Sequence, residues 1–463
     1  MSAWKSVWCA ASAAMIATTT PAWADPVAVN NGSQFADTAG NPIQAHGAGI
    51  IKVDDTYYLF GENRNGYLFK AVSMYRSTDL KTWTFANDVL TSNSATSLNT
   101  SNIERPKIIY NAATSKYVLW AHKENGTNYN EARVVVATSD TVDGNYVYQN
   151  EFRPLDNESR DMTLFLDDDG TGYLISAAKN NYDLNIYKLN ASFTGIDSLV
   201  TVLAGNHREA PAVFKRNGVY FLLTSAATGW NPNQAAYQTA TSMAGPWTSP
   251  TAFGDPRTYN SQSTWVQPLT GTSGTSYLYL GDRWGPATSQ QPNDSTYVWL
   301  PVTFPTSTSL AMPTSSQITL DTAAGTIANG FSGTTLATVK AGSSGLCLNV
   351  ANQARNYESG IIQWDCGAFS NEQVERRTVG DYTQFVFQQS GLCLAEGTDG
   401  SSVVQTTCGI GNRSQWTVSG SQIVNRASGL CLNVSGDSRT RGGKIIDYKC
   451  SATAPNDKWS FVS

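Results

Sequence analysis

Residues 215–224, KRNGVYFLLT, set a run of Val, Tyr, Phe and Leu directly behind an Asn-Gly turn. Aromatic and β-branched side chains suit a pleated, half-buried surface, and Asn-Gly supplies the positive φ of a tight hairpin. The pattern recurs at 53–60 (VDDTYYLF), 116–120 (KYVLW), 167–176 (DDDGTGYLIS) and 273–280 (SGTSYLYL). Behind most copies comes a further strand that ends in a polar turn and an aromatic, as from Tyr75 to Trp83, from Ala137 past Asp140 to Tyr146, and from Thr241 to Trp247. No segment carries a long helical period. Five copies of a several-strand unit, spaced by about 50 to 60 residues, fit a five-bladed β-propeller better than a sandwich. In such a ring the innermost strands surround one cavity, so chemistry is to be sought once per blade.

The chain has 463 residues, too many for one ordinary domain. Only 14% of them are charged and the net charge is -5, which lacks the basic field that nucleic acid requires. Three His (His46, His122, His207), none in an HExxH or CxxC setting, argue against a dedicated zinc or redox site. Residues 1–24 carry one early cation, Lys5, a short apolar run and the triplet Ala22-Trp23-Ala24, and read as a cleaved secretory signal. No run reaches the roughly 20 apolar residues that cross a bilayer, so a secreted, extracellular protein without a membrane partner is expected.

Beyond Cys9, six Cys remain, all near the C-terminus: Cys347, Cys366, Cys393, Cys408, Cys431 and Cys450. They mark three repeats that open as GLCLNV (345–350), GLCLAE (391–396) and GLCLNV (429–434). Pairing within each repeat is the economical choice among the connectivities open to six Cys. The threefold pattern over 335–463 resembles a ricin-type β-trefoil, carbohydrate-binding module family 13. The resemblance implies one sugar pocket per repeat, built from a polar residue two after the first Cys, an aromatic two before the second, and an amide ahead of the closing strand. Asn349 and Trp364 stand there in repeat one, but its closing strand, Glu372 to Glu375, puts a Glu where the family has Trp. Repeat two has Ala395 and Thr406 and is expected to be dead; repeat three offers Asn433, Tyr448 and Asn456, with Trp459 closing the core, and is the favoured pocket.

Between 25 and 330, three acids stand at strand entries: Glu104 in NIERPK, Asp161 in SRDMT and Glu209 in HREAP. A carboxylate at the entry of a buried strand costs stability unless something uses it. Three in different blades fit glycosidic cleavage, in which one acid protonates the leaving oxygen. The strings ERPK, SRD, EAP and the terminal GDRW (281–284) resemble glycoside hydrolase family 43. QAHGAG (44–49), FGEN (60–63), FKAV (69–72) and Ser261-Gln262 are similar to its exo-β-1,3-galactanase branch.

That resemblance implies Glu209 as general acid, Asp161 as the group that tunes it, and Glu104 as a galactose ligand; as a carboxylate, Glu104 is also kept as a reserve base. Glu62, Arg105, Tyr129 and Trp230 become further substrate-binding candidates. The usual family base on the first inner strand is missing, and the branch implies instead that Gln262 holds the attacking water across the cavity from Glu209, at the wide spacing of about 6.5 to 9.5 Å that inversion needs. His46 reads as a hydrogen-bonded core residue. The expectation is an all-β, secreted, inverting exo-β-1,3-galactanase. It would act as a monomer on the β-1,3-galactan chains of arabinogalactan, without cofactor or catalytic metal; a structural Ca²⁺ stays open. Another family 43 activity, on arabinofuranosides or xylosides, and an inactive galactan lectin are the alternatives. The Gly/Thr-rich linker near 325–340 is expected to tether the trefoil without fixing its angle.

Overall fold

The computed structural model describes residues 26–288, 290–315, 317–329, 336–355, 357–367, 369–406, 408 and 412–462. The signal assigned to 1–24 and the linker centre at 330–335 lie outside these. Apart from single turns of 3-10 helix, every element among them is a strand, and no helix is long and apolar enough to cross a membrane.

Five antiparallel sheets follow one another along residues 46–302. Their innermost strands are His46–Val53, Asn102–Asn111, Met162–Leu166, Arg208–Arg216 and Gln262–Gly271. Each is in contact with the next, and Gln262–Gly271 also touches His46–Val53, so the strands close a ring. Each sheet grows outward by hairpins, which is why the chain reads as repeated hairpin units. The fifth sheet has three strands, and its outer edge is covered by the N-terminal segment, where Gly32 N–H donates to the Tyr297 carbonyl at 2.8 Å and Tyr297 N–H to Ser33 at 3.1 Å. Val27–Asn30 also pairs with Gln317–Asp321, joining the two ends of this domain. Apolar clusters fill the spaces between sheets; one packs Ile50, Leu59, Trp83, Leu278 and Trp299 at the seam between the first and fifth.

From Leu336 onward, three repeats surround a separate core. Leu348, Leu394 and Leu432 of the three Gly-Leu-Cys-Leu openings are buried in it beside Trp416 and Trp459. Leu336–Ala341 pairs with Trp459–Val462 and so fastens the first strand to the last. The three disulfides are Cys347–Cys366, Cys393–Cys408 and Cys431–Cys450, each within its repeat.

Two expectations are corrected. In repeat one the core position of Trp416 and Trp459 is taken by Val374, not by a Glu: Val374 is fully buried in the same cluster, one residue before Glu375. The trefoil, moreover, does not hang freely on its linker. Arg283 donates from its guanidinium to the carbonyls of Ser390 and Gly391, both at 3.2 Å, and Cys408 N–H donates to the Gly32 carbonyl at 3.1 Å. Main-chain carbonyls carry most of this docking, and they leave no trace in side-chain identity.

Each disulfide closes a loop of 15 or 19 residues. Loop-closure entropy for such loops amounts to about 3 kcal/mol. Replacing Cys431 and Cys450 by Ala should therefore lower the stability of the trefoil by about that amount, read as an earlier transition in thermal unfolding, with the first domain's transition little changed.

Candidate active site

Four of the five innermost strands open on the same irregularity. The ladder steps from His46↔Glu62 to Gly49↔Phe60, from Glu104↔His122 to Lys107↔Trp120, from Glu209↔Ser225 to Ala212↔Leu223, and from Ser263↔Gly281 to Trp265↔Leu280. Each inserts one extra residue on the inner strand, a β-bulge, which re-aims the side chains beside it. In three bulges the residue after the first pair is left-handed: Gly47 at φ 58°, Arg105 at 51° and Ala210 at 53°. Pro106 and Pro211 fall on the skipped positions, where a residue without an N–H costs the ladder nothing. At position 47 only Gly fits, because a Cβ would stand 2.4 Å from Glu62 Oε1 and 3.1 Å from the Arg105 backbone.

Glu62, Glu104, Arg105, Tyr129, Asp161, Glu209, Trp230 and Gln262 all line one cavity of about 360 Å³ at the mouth of the ring, with Arg105 set in one of these bulges and Glu104 and Glu209 at the mouths of two of them. All eight were singled out in the sequence. Arg105 ties them together: its backbone N–H donates to Glu62 Oε1 at 2.8 Å, and its guanidinium reaches Asp161 at 2.9 Å, the Ser263 carbonyl at 2.9 Å and Gln262 Oε1 at 2.5 Å. Trp284 Nε1 donates to the same Gln262 oxygen at 2.7 Å. Since Arg and Trp can only donate, the amide oxygen must face them and the NH₂ must point the other way. It does, donating to Glu209 Oε1 and to Ser225 Oγ, both at 3.0 Å.

This contact corrects the expectation that Gln262 stands across the cavity from Glu209 with a water between them. The two side chains are hydrogen-bonded neighbours, because Arg208–Arg216 and Gln262–Gly271 are adjacent innermost strands.

The second Glu209 oxygen accepts from Asn181 Nδ2 at 2.8 Å. Burial and, after it, the charge of Asp161 push the Glu209 carboxyl up to about 8, against the pull of Arg105 and of the Gln262 amide. Glu104 goes the opposite way. Burial alone would raise it, but the His122 ring, the Arg64 guanidinium and the Tyr129 hydroxyl hold it well below the usual carboxylate range. Glu104 Oε1 accepts from the Tyr129 hydroxyl at 2.6 Å and from Asn102 Nδ2 at 2.7 Å. The His122 nitrogens lie 3.2 Å from Glu104 and 2.8 Å from Glu124; these carboxylates outweigh burial and raise the ring to about 9, an imidazolium. Near neutral pH the cavity therefore holds one protonated carboxyl, Glu209, and an ionised one, Glu104, with different capacities.

Glu104, His122 and Asp161 offer ligand atoms within 4.8 Å of one another. They do not suit a metal ion: Arg64 and Arg105 already pair with the two carboxylates, and an imidazolium has no lone pair to give. His46 is structural, buried between Asp282 at 3.0 Å and Gln44 at 3.2 Å, with its ring stacked on Tyr297.

Sequence reasoning missed Arg64, His122, Asn181 and Trp284 as cavity-lining residues. For Trp284 the GDRW string was the available signal, and for Asn181 the Asn180-Asn181 pair, which the structure places at φ 53° and 66°, a region Asn tolerates. His122 is hidden inside the apolar strand Lys116–Glu124.

In the trefoil, Trp364, Thr406 and Tyr448 occupy one register position, each opposite the first Cys of its repeat. Tyr448 is exposed, and Asn456 Nδ2 donates to Asn433 Oδ1 at 2.9 Å. Repeat one repeats that geometry through Asn371, which the sequence reading passed over: its Nδ2 donates to Asn349 Oδ1 at 2.7 Å. With exposed Trp364 and Phe369 these residues line a hollow of about 510 Å³. In repeat two, Ala395 and Thr406 are buried and offer no platform.

The sequence matches the family model for Glycosyl hydrolases family 43 over residues 39–285, and that for the Ricin-type beta-trefoil lectin domain over 335–459. Among solved structures, the exo-β-1,3-galactanase of Clostridium thermocellum is 39% identical, covering 94% of this chain and 99% of its own, with a TM-score of 0.66. An exo-β-1,3-galactanase of Phanerochaete chrysosporium, crystallised with galactose, is 30% identical over 91% of this chain and 100% of its own, also at 0.66. A curated relative, a xylan 1,3-beta-xylosidase from a Vibrio species, is 25% identical over 198 residues; the match takes in 38% of this chain and only 35% of that protein.

If the Asp161 charge helps keep Glu209 protonated, Asp161→Asn should move the Glu209 titration to lower pH. ¹³C NMR of the labelled carboxyl, starting from about 8 in the unaltered chain, reads the shift directly; an unmoved titration would assign the effect to burial alone.

Proposed function

The chain belongs to Glycosyl hydrolases family 43, and from that premise we propose that it is an exo-β-1,3-galactanase. On this reading a five-bladed propeller releases galactose from the non-reducing end of β-1,3-galactan chains in arabinogalactan. The galactanases named above, similar over nearly the whole of their length, support the substrate class. The observation that carries the chemistry is Glu209: a carboxyl raised to about 8 at the wall of a small cavity keeps its proton at neutral pH and can deliver it to a glycosidic oxygen. Trp230 and Trp284, edge to face with ring centroids 5.1 Å apart, offer an apolar surface to the sugar's C–H face. Glu62, Glu104, Tyr129 and Arg64 form a charged hydrogen-bonding wall suited to its hydroxyls.

Asp161, Glu62 and Glu104 are each fastened by a cation or by N–H donors, an arrangement fit for holding substrate rather than for bonding to the anomeric carbon. That favours direct attack by water, with inversion: the leaving oxygen takes the Glu209 proton, and the proton given up by the water passes to the ionised Glu104 carboxylate and on to solvent. Gln262 then serves as a positioning group for Glu209 rather than as a base of its own, since an amide has almost no basicity. Secretion is proposed from the signal-like residues 1–24 together with the three disulfides. The trefoil is proposed to bind galactan through repeats one and three, so that Trp364→Ala and Tyr448→Ala should each weaken retardation of the chain in galactan affinity gels.

Digestion of β-1,3-galactan followed by chromatography tests the activity: galactose is expected, whereas arabinose or xylose from nitrophenyl glycosides would point elsewhere in the family. ¹H NMR of the first product should show α-galactose, and β-galactose would refute inversion. Because the protonated form of Glu209 is the active one, kcat/KM should fall as pH rises through about 8. Glu209→Gln should lower kcat on β-1,3-galactobiose by about 10² to 10⁴, and less on a dinitrophenyl galactoside, whose leaving group needs no proton.

A further inference from the structure

Three consecutive residues just ahead of Gln262 are left-handed: Thr258 at φ 49°, Tyr259 at 55° and Asn260 at 58°. Non-glycine residues in this region persist only where their surroundings over-determine them. Within the propeller, Asp255 Oδ1 accepts the backbone N–H of Arg257 at 3.0 Å and of Tyr259 at 2.6 Å, and the Tyr259 hydroxyl donates to the Met312 carbonyl at 2.7 Å. The Thr258 hydroxyl donates to the Asn233 carbonyl and accepts the Ala235 N–H, both at 2.8 Å, and Arg257 Nε donates to Asn260 Oδ1 at 2.8 Å. Further restraints come from the trefoil. Arg355 pairs with the other Asp255 oxygen, and its carbonyl accepts from Asn260 Nδ2 at 2.7 Å. Arg283 donates to the Tyr259 carbonyl at 3.1 and 3.0 Å and, from the same guanidinium, to the Ser390 and Gly391 carbonyls. Tyr357, two residues past Arg355, borders a narrow gap behind Gln262 and Trp284, with its hydroxyl oxygen buried.

We propose that Arg355 of the trefoil is a positioning residue for the hydrolytic site. By clamping the left-handed turn at 258–260 from outside the propeller, it fixes the direction in which Gln262 leaves that turn, and hence the hydrogen bond from Gln262 to Glu209. The trefoil is then part of the wall of the active site as well as a tether for polymer. The inference rests on the reading of Glu209 and Gln262 as the reacting side of the cavity.

The test uses the full chain with Arg355→Ala and two readouts. Backbone amide exchange in peptides covering 255–263 should quicken by about tenfold or more, and kcat on β-1,3-galactobiose should fall about tenfold with KM changed less than twofold, since small displacements of catalytic groups act on turnover. Arg355→Lys, which retains a cation for Asp255, should recover part of kcat; a mere loss of folded protein would lower the active fraction without changing exchange in this segment selectively. Should the Ala variant not fold, Arg355→Gln gives the same comparison with the side-chain stem retained. Exchange and kcat both unchanged in a folded variant would overturn the inference. If the unaltered chain released no galactose, the reading of the site would fall, while exchange at 255–263 would still decide whether the trefoil holds the turn.

Discussion

The guanidinium of Arg105 is the constraint on which the site depends. It lies in a β-bulge at φ 51°, nearly without solvent, and reaches across the ring to Asp161 and to Gln262, while its own N–H holds Glu62. A buried cation is costly unless its donors are met, and here a carboxylate, an amide oxygen and a main-chain carbonyl meet them. Because Asp161 opens the adjacent innermost strand while Gln262 and Ser263 come from Gln262–Gly271, which is not a neighbour of Asn102–Asn111 in the ring, satisfying one side chain also sets the mutual orientation of the sheets that supply them. Lys107, two residues on, is buried below it with its ammonium 2.7 Å from the Gly47 carbonyl; burial first, then the nearby Arg105 charge, lower it to about 7. The Glu-Arg-Pro-Lys string thus buries a second cation beneath the site as well as furnishing its ionised carboxylate, Glu104.

Opposite treatment of two carboxylates in one small cavity follows from where the cations sit. Arg64 and His122 lie against Glu104, whereas Arg105, the cation that pulls most on Glu209, is already paired with Asp161. Glu209 is left with amide donors, Gln262 and Asn181, which orient a carboxyl without supplying a full charge. Burial and then the Asp161 charge put the proton on Glu209, and the pairing of Arg105 with Asp161 bears on whether it stays, so any change that frees Arg105 from Asp161 acts on it.

What could be read in advance, and what could not, divides by the range of the interaction. The hairpin periodicity, the pairing of Cys within repeats and the acids Glu104, Asp161 and Glu209 were legible, because a feature repeated once per unit is a local signal with one global meaning, whereas Glu62 and Gln262 were reached only through the family resemblance. The contact between Gln262 and Glu209 was not, since it depends on which innermost strands are neighbours and on bulges that Pro106 and Pro211 mark only in hindsight. His122 was masked by its apolar strand, and Val374 by a shift of one residue in reading the closing strand of repeat one. The docking of the trefoil was illegible for a plainer reason: the acceptors for Arg283 are carbonyls, which every residue has.

Repeat two unites several of these observations. It is the repeat without an aromatic platform, with Ala395 and Thr406 buried where Trp364 and Tyr448 are exposed in the others. It is also the repeat that supplies Ser390, Gly391 and Cys408 to the propeller. A platform residue is kept only where a sugar can approach it, whereas a docking surface requires carbonyls held in fixed positions, which the Cys393–Cys408 bridge beside them provides. The absence of a platform in repeat two and the attachment of the trefoil thus belong to one arrangement, in which repeat two gives carbonyls to the propeller, repeat one adds Arg355 while keeping Trp364 exposed, and repeat three, with Tyr448 exposed, takes no part in these contacts.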